Sequence, residues 1–296
     1  MGARGSGVTA WSDTRQTGCP IGGLLKAMTH SHHEQALHFR SLHRPGQPLV
    51  LPNAWDAASA RLIEEAGAAA IATTSAGAAW SIGTGDGEAM GRDRALDLIA
   101  RVASTVSLPV SADIEGGYAD DPDGIAETIR RVLHAGAVGV NLEDGPQPVA
   151  EHVERIAAAR KAAGSALFIN ARIDTYLMSL GDPATRLRDT LDRAAACIAA
   201  GADGIFVPGV ADAETIAALA AELAVPLNVM AGPGSPSISE LADLGVTRVS
   251  LGPAIALAAY AAARRAAREL LAAGTYLALD GSLGFAETDA LMAARA

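Results

Sequence analysis

Four junctions in the sequence are built alike: EEAGAAAI (64–71), LHAGAVGV (133–140), IAAGADGI (198–205) and ADLGVTRV (242–249). Each closes an alanine-rich amphipathic stretch, places a glycine where a left-handed helix C-cap suits it, and passes at once into an apolar run. A strand that follows a helix so closely, again and again, is the mark of parallel strands joined by helical crossovers. Eight runs read as strands: PLVLP (48–52), AAIATTS (69–75), PVSADIE (109–115), VGVNLE (138–143), LFINAR (167–172), GIFVP (204–208), PLNVM (226–230) and RVSL (248–251). Helices are expected near 55–66, 88–105, 122–135, 148–163, 184–200, 212–222, 236–244 and 253–272. The expected fold is an α/β (β/α)8 TIM barrel with a parallel sheet. A doubly wound open sheet is the alternative, and the segment LPNAWDAAS lacks the glycine fingerprint such a fold carries after its first strand.

Composition supports one barrel domain. Of 296 residues half are hydrophobic but only 4% aromatic, so the core is expected from Ala, Val, Leu and Ile. A net charge of −10 argues against a nucleic-acid partner, which calls for a basic stripe, and no apolar run has the length to cross a membrane. Neither Cys19 nor Cys197 belongs to a CxxC motif. Cys197 sits in a helical apolar pattern and reads as a small buried hydrophobe, and cysteine usage fits a reducing cytoplasm. Residues 1–27 are Gly/Ser/Thr-rich and aperiodic, without a signal-peptide core, and Met28 reads as a natural beginning. The expected organisation is a flexible extension over 1–30 that includes His30, a barrel over 31–275, and a C-terminal tail over 276–296. His32 and His33 follow His30 at the barrel's start and are read as part of a loose tail.

In such a barrel, chemistry gathers at the C-terminal ends of the strands. Strand 3 ends in Asp113 and Glu115, two residues apart and so on one side. Strand 4 ends in Glu143 and Asp144, strand 5 in Arg172 and Asp174, and strand 1 in Asn53. Strand 2 ends in Thr73, Thr74 and Ser75, followed by a glycine-rich loop with Asp86 and Glu88. Converging acids against one arginine call for a cation, and an all-oxygen set without His or Cys suits Mg²⁺. Arg172 offers a planar fork to a substrate carboxylate, and Thr73, Thr74 and Ser75 offer amides and hydroxyls to another anionic oxygen.

Taken together these motifs resemble the isocitrate lyase/phosphoenolpyruvate mutase superfamily over roughly residues 34–275. VSADIEGGY is similar to its DADTGYG signature, VNLEDG to its LED segment, INARID to its ARxE/ARTD strand, and GTGDGEA to the loop whose aspartate holds a metal-bound water. The resemblance implies Mg²⁺, or Mn²⁺ in its place, with Asp113 as direct ligand and Glu115, Glu143 and Asp86 around it. It implies substrate contacts from Arg172 and from the TTSAG segment, with Asn53 as a further candidate. It also implies a homodimer or homotetramer with a swapped C-terminal helix, a part that 253–272 fits. Two departures bear on the reaction. After NLEDG the chain runs directly into the next helix, with no lid and no catalytic cysteine, and Pro208 stands where mutase-like members place a histidine. The expected activity is therefore Mg²⁺-dependent C–C cleavage, retro-aldol or decarboxylation, of a small 2-oxo or 2-hydroxy carboxylic acid through an enolate. The alternatives are a phosphonomutase or phosphonopyruvate hydrolase, and a barrel that binds a carboxylate without turnover. Candidates for the proton donor are Tyr118 and His152, the latter read as a helix-surface residue, while His134 reads as a helix-end cation.

Overall fold

The computed structural model describes residues 32–293, so the expected extension over 1–30, with His30 and Cys19, lies outside the described residues. A helix over 32–41 (α1) leads into a parallel sheet of β1 (Leu49–Leu51), β2 (Asn53–Ala54), β3 (Ile71–Thr73), β4 (Val110–Asp113), β5 (Gly139–Glu143), β6 (Phe168–Arg172), β7 (Gly204–Val207), β8 (Leu227–Met230) and β9 (Arg248–Ser250). The order is β1-β9-β8-β7-β6-β5-β4-β3-β2. β1 and β2 are two halves of one barrel strand. Pro52 between them has no N–H to give to a ladder, so the first half pairs with β9 and the second with β3. Counted this way the strands fill eight positions of a nearly closed (β/α)8 barrel.

The helices follow the expected rhythm: α2 (Ala57–Glu65), α3 (Ser75–Ser81), α4 (Arg92–Thr105), α5 (Pro122–His134), α6 (Val149–Ala163), α7 (Arg186–Ala200), α8 (Ala213–Glu222), α9 (Ile238–Asp243) and α10 (Ala254–Ala273). Two differences touch the mouth. The second strand stops at Thr73, and the alanine-rich SAGAAWS segment, full of helix formers, folds as α3 with Thr74 as its N-cap. The following helix begins at Arg92 rather than 88, which leaves residues 82–91 as a loop over the barrel rim. Beyond the barrel, a 3₁₀ turn at Leu277–Leu279 precedes α11 (Phe285–Ala293), which rests on α2, where Arg61 Nη2 donates to the Leu291 carbonyl at 3.0 Å.

The main core lies between the strands and the helices and is dominated by Ile, Val, Leu and Ala, including Ile99, Ile125, Ile129, Ile156 and Ile169. A second cluster closes the N-terminal end of the barrel: Phe39 of α1 packs on Leu49, Ala70, Val138 and Phe168 at the strand starts. Asp203 draws Arg40 and Arg160 to the same end and accepts from the Ile169 amide at 2.8 Å. Cys197 is buried as expected, and burial pushes its thiol up to about 12. Among the described residues no helix is long and apolar enough to cross a membrane.

Asn53 completes the closure that Pro52 interrupts. Its Nδ2 donates to the Thr73 carbonyl and its Oδ1 accepts from the Leu251 amide, both at 2.9 Å, which ties β3 to the end of β9. This buried amide is satisfied by the barrel itself. Asn53→Ala orphans a buried carbonyl and a buried amide, so it is expected to cost about 2–4 kcal/mol. The check is the urea midpoint of the two proteins.

Candidate active site

The site forms where β3, β4, β5 and β6 end. Asp113, the last residue of β4, is half-buried, and its Oδ2 accepts from Ser75 Oγ at 3.0 Å and from the Ser75 amide at 3.2 Å. Its own amide donates to Thr73 Oγ1 at 2.8 Å. The strand-to-helix corner at Thr73–Ser75 therefore braces Asp113 against the rim. Thr74 gives its amide to the Ala54 carbonyl at 3.0 Å, and Gly77 lets α3 sit close: a Cβ there would lie 2.8 Å from Thr74 Cγ2 and 2.9 Å from Trp55 Cβ.

Beyond β4 the backbone is unusual. Glu88, Glu115 and Tyr118 all have positive φ, at 63°, 51° and 55°, a region that non-glycine residues rarely occupy. Hydrogen bonds hold all three. The Glu88 amide donates to Glu115 Oε2, the Tyr118 hydroxyl donates to Glu115 Oε1 at 2.7 Å, and the Tyr118 amide donates to Glu88 Oε1 at 2.7 Å. Below them Gly117 has φ of 101°, and a Cβ there would meet Ile125 Cδ1 at 2.5 Å. Strain kept in place by a reciprocal network is characteristic of a site whose geometry matters. Burial raises the Glu115 carboxyl above its ordinary range against the hydrogen bonds of Tyr118 and Glu88, with Asp113 and Asp86 adding like charge. Asp86 itself is exposed on the 82–91 loop.

On the other side, Glu143 and Arg172 are register partners at the ends of β5 and β6. Arg172 Nη1 lies 2.5 Å from Glu143 Oε2, and its Nε donates to Asp174 Oδ1 at 2.7 Å. Its guanidinium carbon stands 6.0 Å from the centre of the Phe206 ring. Burial raises Glu143 despite Arg172, and Asp113, Asp174 and Glu115 raise it further. Burial likewise raises Asp174, which is fully enclosed. Asp144, the next acid after Glu143, turns away: Oδ1 accepts from the Asp174 amide at 2.9 Å and Oδ2 from Arg193 at 2.8 Å. It supports the site from behind.

Among the described residues no group of three His, Cys, Asp or Glu side chains gathers closely enough to hold a metal ion between them. From the sequence, Asp113 is expected as the direct ligand, with Glu115, Glu143 and Asp86 around it rather than on the ion. Glu115 is engaged by Tyr118 and Glu88, and Glu143 by Arg172, while Asp113 is held only by neutral donors. One carboxylate at the rim, with further acids at a remove, fits a hard cation that keeps most of its water, as Mg²⁺ does.

The two proton-donor candidates fare poorly. Burial, then Glu115, pushes the Tyr118 phenol far up, and its proton is directed at Glu115. His152 is not on a helix surface. It lies 1% exposed within α6, neither ring nitrogen has a hydrogen-bond partner among the described residues, and burial lowers it to about 3. His134 lies in the last turn of α5, as the sequence indicates. Glu88 and Asp174 are the site residues that strand-end reasoning undervalues. Glu88 enters from a loop, where spacing carries no signal, and Asp174 lies two residues past Arg172 in plain view.

A family model described as phosphoenolpyruvate phosphomutase matches residues 39–271. An uncharacterized protein of Mycobacterium tuberculosis (strain H37Rv) is 39% identical over 238 residues, covering 78% of this chain and 88% of its own length. A crystal structure from Burkholderia cenocepacia J2315, provisionally assigned as a lyase/mutase, is 42% identical with a TM-score of 0.83, covering 90% of this chain and 98% of its own. The crystal structure of 2,3-dimethylmalate lyase, 26% identical, has a TM-score of 0.76 and covers 89% and 94%.

The state of His152 has a consequence in acid. Its folded value of about 3 lies below the ordinary 6.5, so the unfolded chain binds the extra proton between those limits. Its contribution is complete above pH 6.5 and is lost as pH falls toward 3. At pH 5 the loss amounts to about 2 kcal/mol. A His152→Leu variant is expected to lose less stability than the parent between pH 7 and pH 5, measured by chemical denaturation at each pH.

Proposed function

Because the chain belongs to the phosphoenolpyruvate phosphomutase family, whose superfamily comprises carbon–carbon lyases and mutases, we propose that it is a Mg²⁺-dependent lyase cleaving a C–C bond of a small 2-oxo or 2-hydroxy carboxylic acid, by retro-aldol reaction or decarboxylation. The observation that carries this reading is the set of acids at adjacent strand ends, Asp113, Glu115 and Glu143, against the Arg172 guanidinium.

Asp113 is the residue that would hold Mg²⁺, or Mn²⁺ in its place, with Glu115, Glu143 and Asp86 orienting its waters. When bound, the ion acts as a Lewis acid toward the carbonyl or hydroxyl oxygen of the substrate and offsets the charge that develops there. Arg172, immobilised by Glu143 and Asp174, presents its fork to a substrate carboxylate without first having to be ordered. Ser75, with Thr73 and Thr74 behind it, offers donors beside Asp113 for a second anionic oxygen. Asn53 serves the barrel rather than the substrate. Tyr118 orients Glu115 and keeps its proton.

The proton for the enolate then comes from solvent. Only residues 144–148 separate β5 from α6, too few to form a lid at that point of the chain. The short connection also favours a lyase over C–P chemistry, in which a reactive intermediate needs protection from water. A cytoplasmic location and a homodimer or homotetramer belong to the same proposal. The exposed Leu257, Tyr260, Leu270 and Leu271 of α10 support a second copy covering that helix.

Asp113→Ala is expected to reduce Mg²⁺-dependent turnover by at least about 10³-fold, a loss of some 4 kcal/mol of transition-state stabilisation. The assay is release of pyruvate or glyoxylate from a panel of 2-alkylmalates, oxaloacetate and methylisocitrate. Undiminished turnover by the variant would sink the metal platform, and turnover of phosphonopyruvate seen by phosphorus NMR would replace the lyase with C–P chemistry. Oxalate binding with Mg²⁺ but no turnover on either panel would favour the binding-only barrel. With methylisocitrate in D₂O, whose cleavage protonates a methylene carbon, protonation by solvent predicts a CHD product without stereochemical preference, and a single labelled stereoisomer would point to a protein-borne acid.

A further inference from the structure

One cation in the barrel has no place in that scheme. Arg248 is 1% exposed, on β9, with its side chain inside the barrel. Its Nη2 donates to Ser111 Oγ and to Asn141 Oδ1, both at 3.2 Å. Ser111 is two residues before Asp113 on β4, and Asn141 is two before Glu143 on β5 and the register partner of Asp113. Successive inward residues of a strand are two apart, so the guanidinium lies one layer beneath the acids of the rim. Asn141 Oδ1 also accepts from Asn170 Nδ2 at 2.9 Å, and Asn170 is two residues before Arg172.

What surrounds Arg248 does not neutralise it. Among the described residues its Nε and Nη1 have no hydrogen-bond partner, and the Phe39 ring lies 5.8 Å from the guanidinium carbon. Among the described residues no carboxylate is within ion-pair distance, although Asp113 is near enough to favour its charged form. Burial draws its ordinary value down to about 9, so it stays charged at neutral pH. An unpaired buried charge is costly and persists only where something else in the protein uses it. Among the described residues the carboxylates gathered here, those of Glu88, Asp113, Glu115, Glu143 and Asp174, outnumber the guanidinium groups beside them, those of Arg155, Arg172 and Arg248. A divalent cation closes the difference.

Resting on the metal-platform reading, we propose that Arg248 is a positioning residue that acts through its charge: from inside the barrel it weakens the hold of the acid cluster on the divalent ion and strengthens the hold of the loaded site on an anionic dicarboxylate. Its effect passes through the low-dielectric barrel interior, where screening by salt is weak. The ion is then held loosely enough to keep its waters exchangeable, and the site as a whole favours a dianion.

Two substitutions separate charge from scaffolding. Arg248→Gln keeps a donor for Ser111 and Asn141 but removes the charge, whereas Arg248→Lys keeps the charge on a different stem. Mn²⁺ binding is read by electron paramagnetic resonance, and oxalate binding at saturating Mg²⁺ by titration calorimetry, on the full-length protein. Arg248→Gln is expected to bind Mn²⁺ about tenfold more tightly and oxalate about tenfold more weakly, while Arg248→Lys stays within about threefold of the parent on both. Ser111→Ala, which leaves the charge in place and removes one of its hydrogen bonds, is expected to leave both affinities unchanged. If Arg248→Gln matches the parent in both affinities and differs only in thermal midpoint, Arg248 is a structural residue and the proposal falls. Altered affinities in Ser111→Ala would assign the effect to the hydrogen bonds and overturn it equally, a result available even if Arg248→Gln does not fold. Failure of the parent protein to bind Mn²⁺ would instead remove the metal platform, and this inference with it.

Discussion

The mouth of this barrel depends on the placing of Arg172 between Glu143 and Asp174. The three groups are enclosed enough that burial alone would push both carboxyls toward neutrality, and the guanidinium is what opposes that. Such a triad is a poor source of net stability, because desolvation offsets most of its Coulombic attraction. Its physical consequence is positional. Glu143 and Arg172 are register partners on neighbouring strands, so the ion pair fixes the ends of β5 and β6 relative to each other. Asp144 and Arg193 then hold the Asp174 amide from behind, which carries the constraint from the sheet into α7. A ligand that reached Arg172 would meet a group that has already lost its rotamer freedom.

The opposite side of the mouth is organised by backbone strain rather than charge. Three non-glycine residues with positive φ would each cost of order 1–3 kcal/mol without compensation. The compensation is local: Glu88, Glu115 and Tyr118 bond one another, the Gly116 carbonyl accepts from Arg155 at 3.0 Å, and the Gly117 carbonyl accepts from Thr128 at 2.8 Å. The barrel helices α5 and α6 thus supply the donors that hold a loop in a conformation its sequence does not favour. Two mechanisms, an ion triad and a strained knot, flank Asp113, whose carboxylate accepts from neutral donors of Ser75 and the Glu115 amide and whose own amide donates to Thr73 Oγ1.

The fold was legible because its signals are local and repeated. A helix that ends on glycine and gives way to a β-branched run states its own boundaries, and the eight strand positions were found to within one or two residues. Asp113, Glu115, Glu143 and Arg172 were legible for a related reason, since the barrel makes strand ends the place where charge has to be explained. Other features depend on contacts across the barrel and carry no local mark. Asn53 reads as a rim amide until the gap left by Pro52 is seen, and His152 reads as a surface residue until α6 is packed. Arg248, in RVSL, looks like an ordinary strand residue, and only closure of the sheet places it under the acids. The strand expected over 69–75 stops at Thr73 and a helix not expected there follows over Ser75–Ser81, because small residues fit a strand end and a helix start equally well.

The short connection between β5 and α6 gives these differences a common direction. A lid would exclude water and raise the strength of every charge at the mouth. Without one, the site has to obtain a low dielectric from below, and the barrel interior is where it is available. The layer under the rim accordingly holds Ser111, Asn141, Asn170 and Arg248 in place of the branched aliphatic residues that usually fill such barrels. Polar side chains in a core are expensive unless satisfied, and here Asn141 Oδ1 accepts from both Asn170 and Arg248. The chain therefore places its fixed dipoles and the Arg248 cation beneath the acids of the rim, where solvent does not screen them.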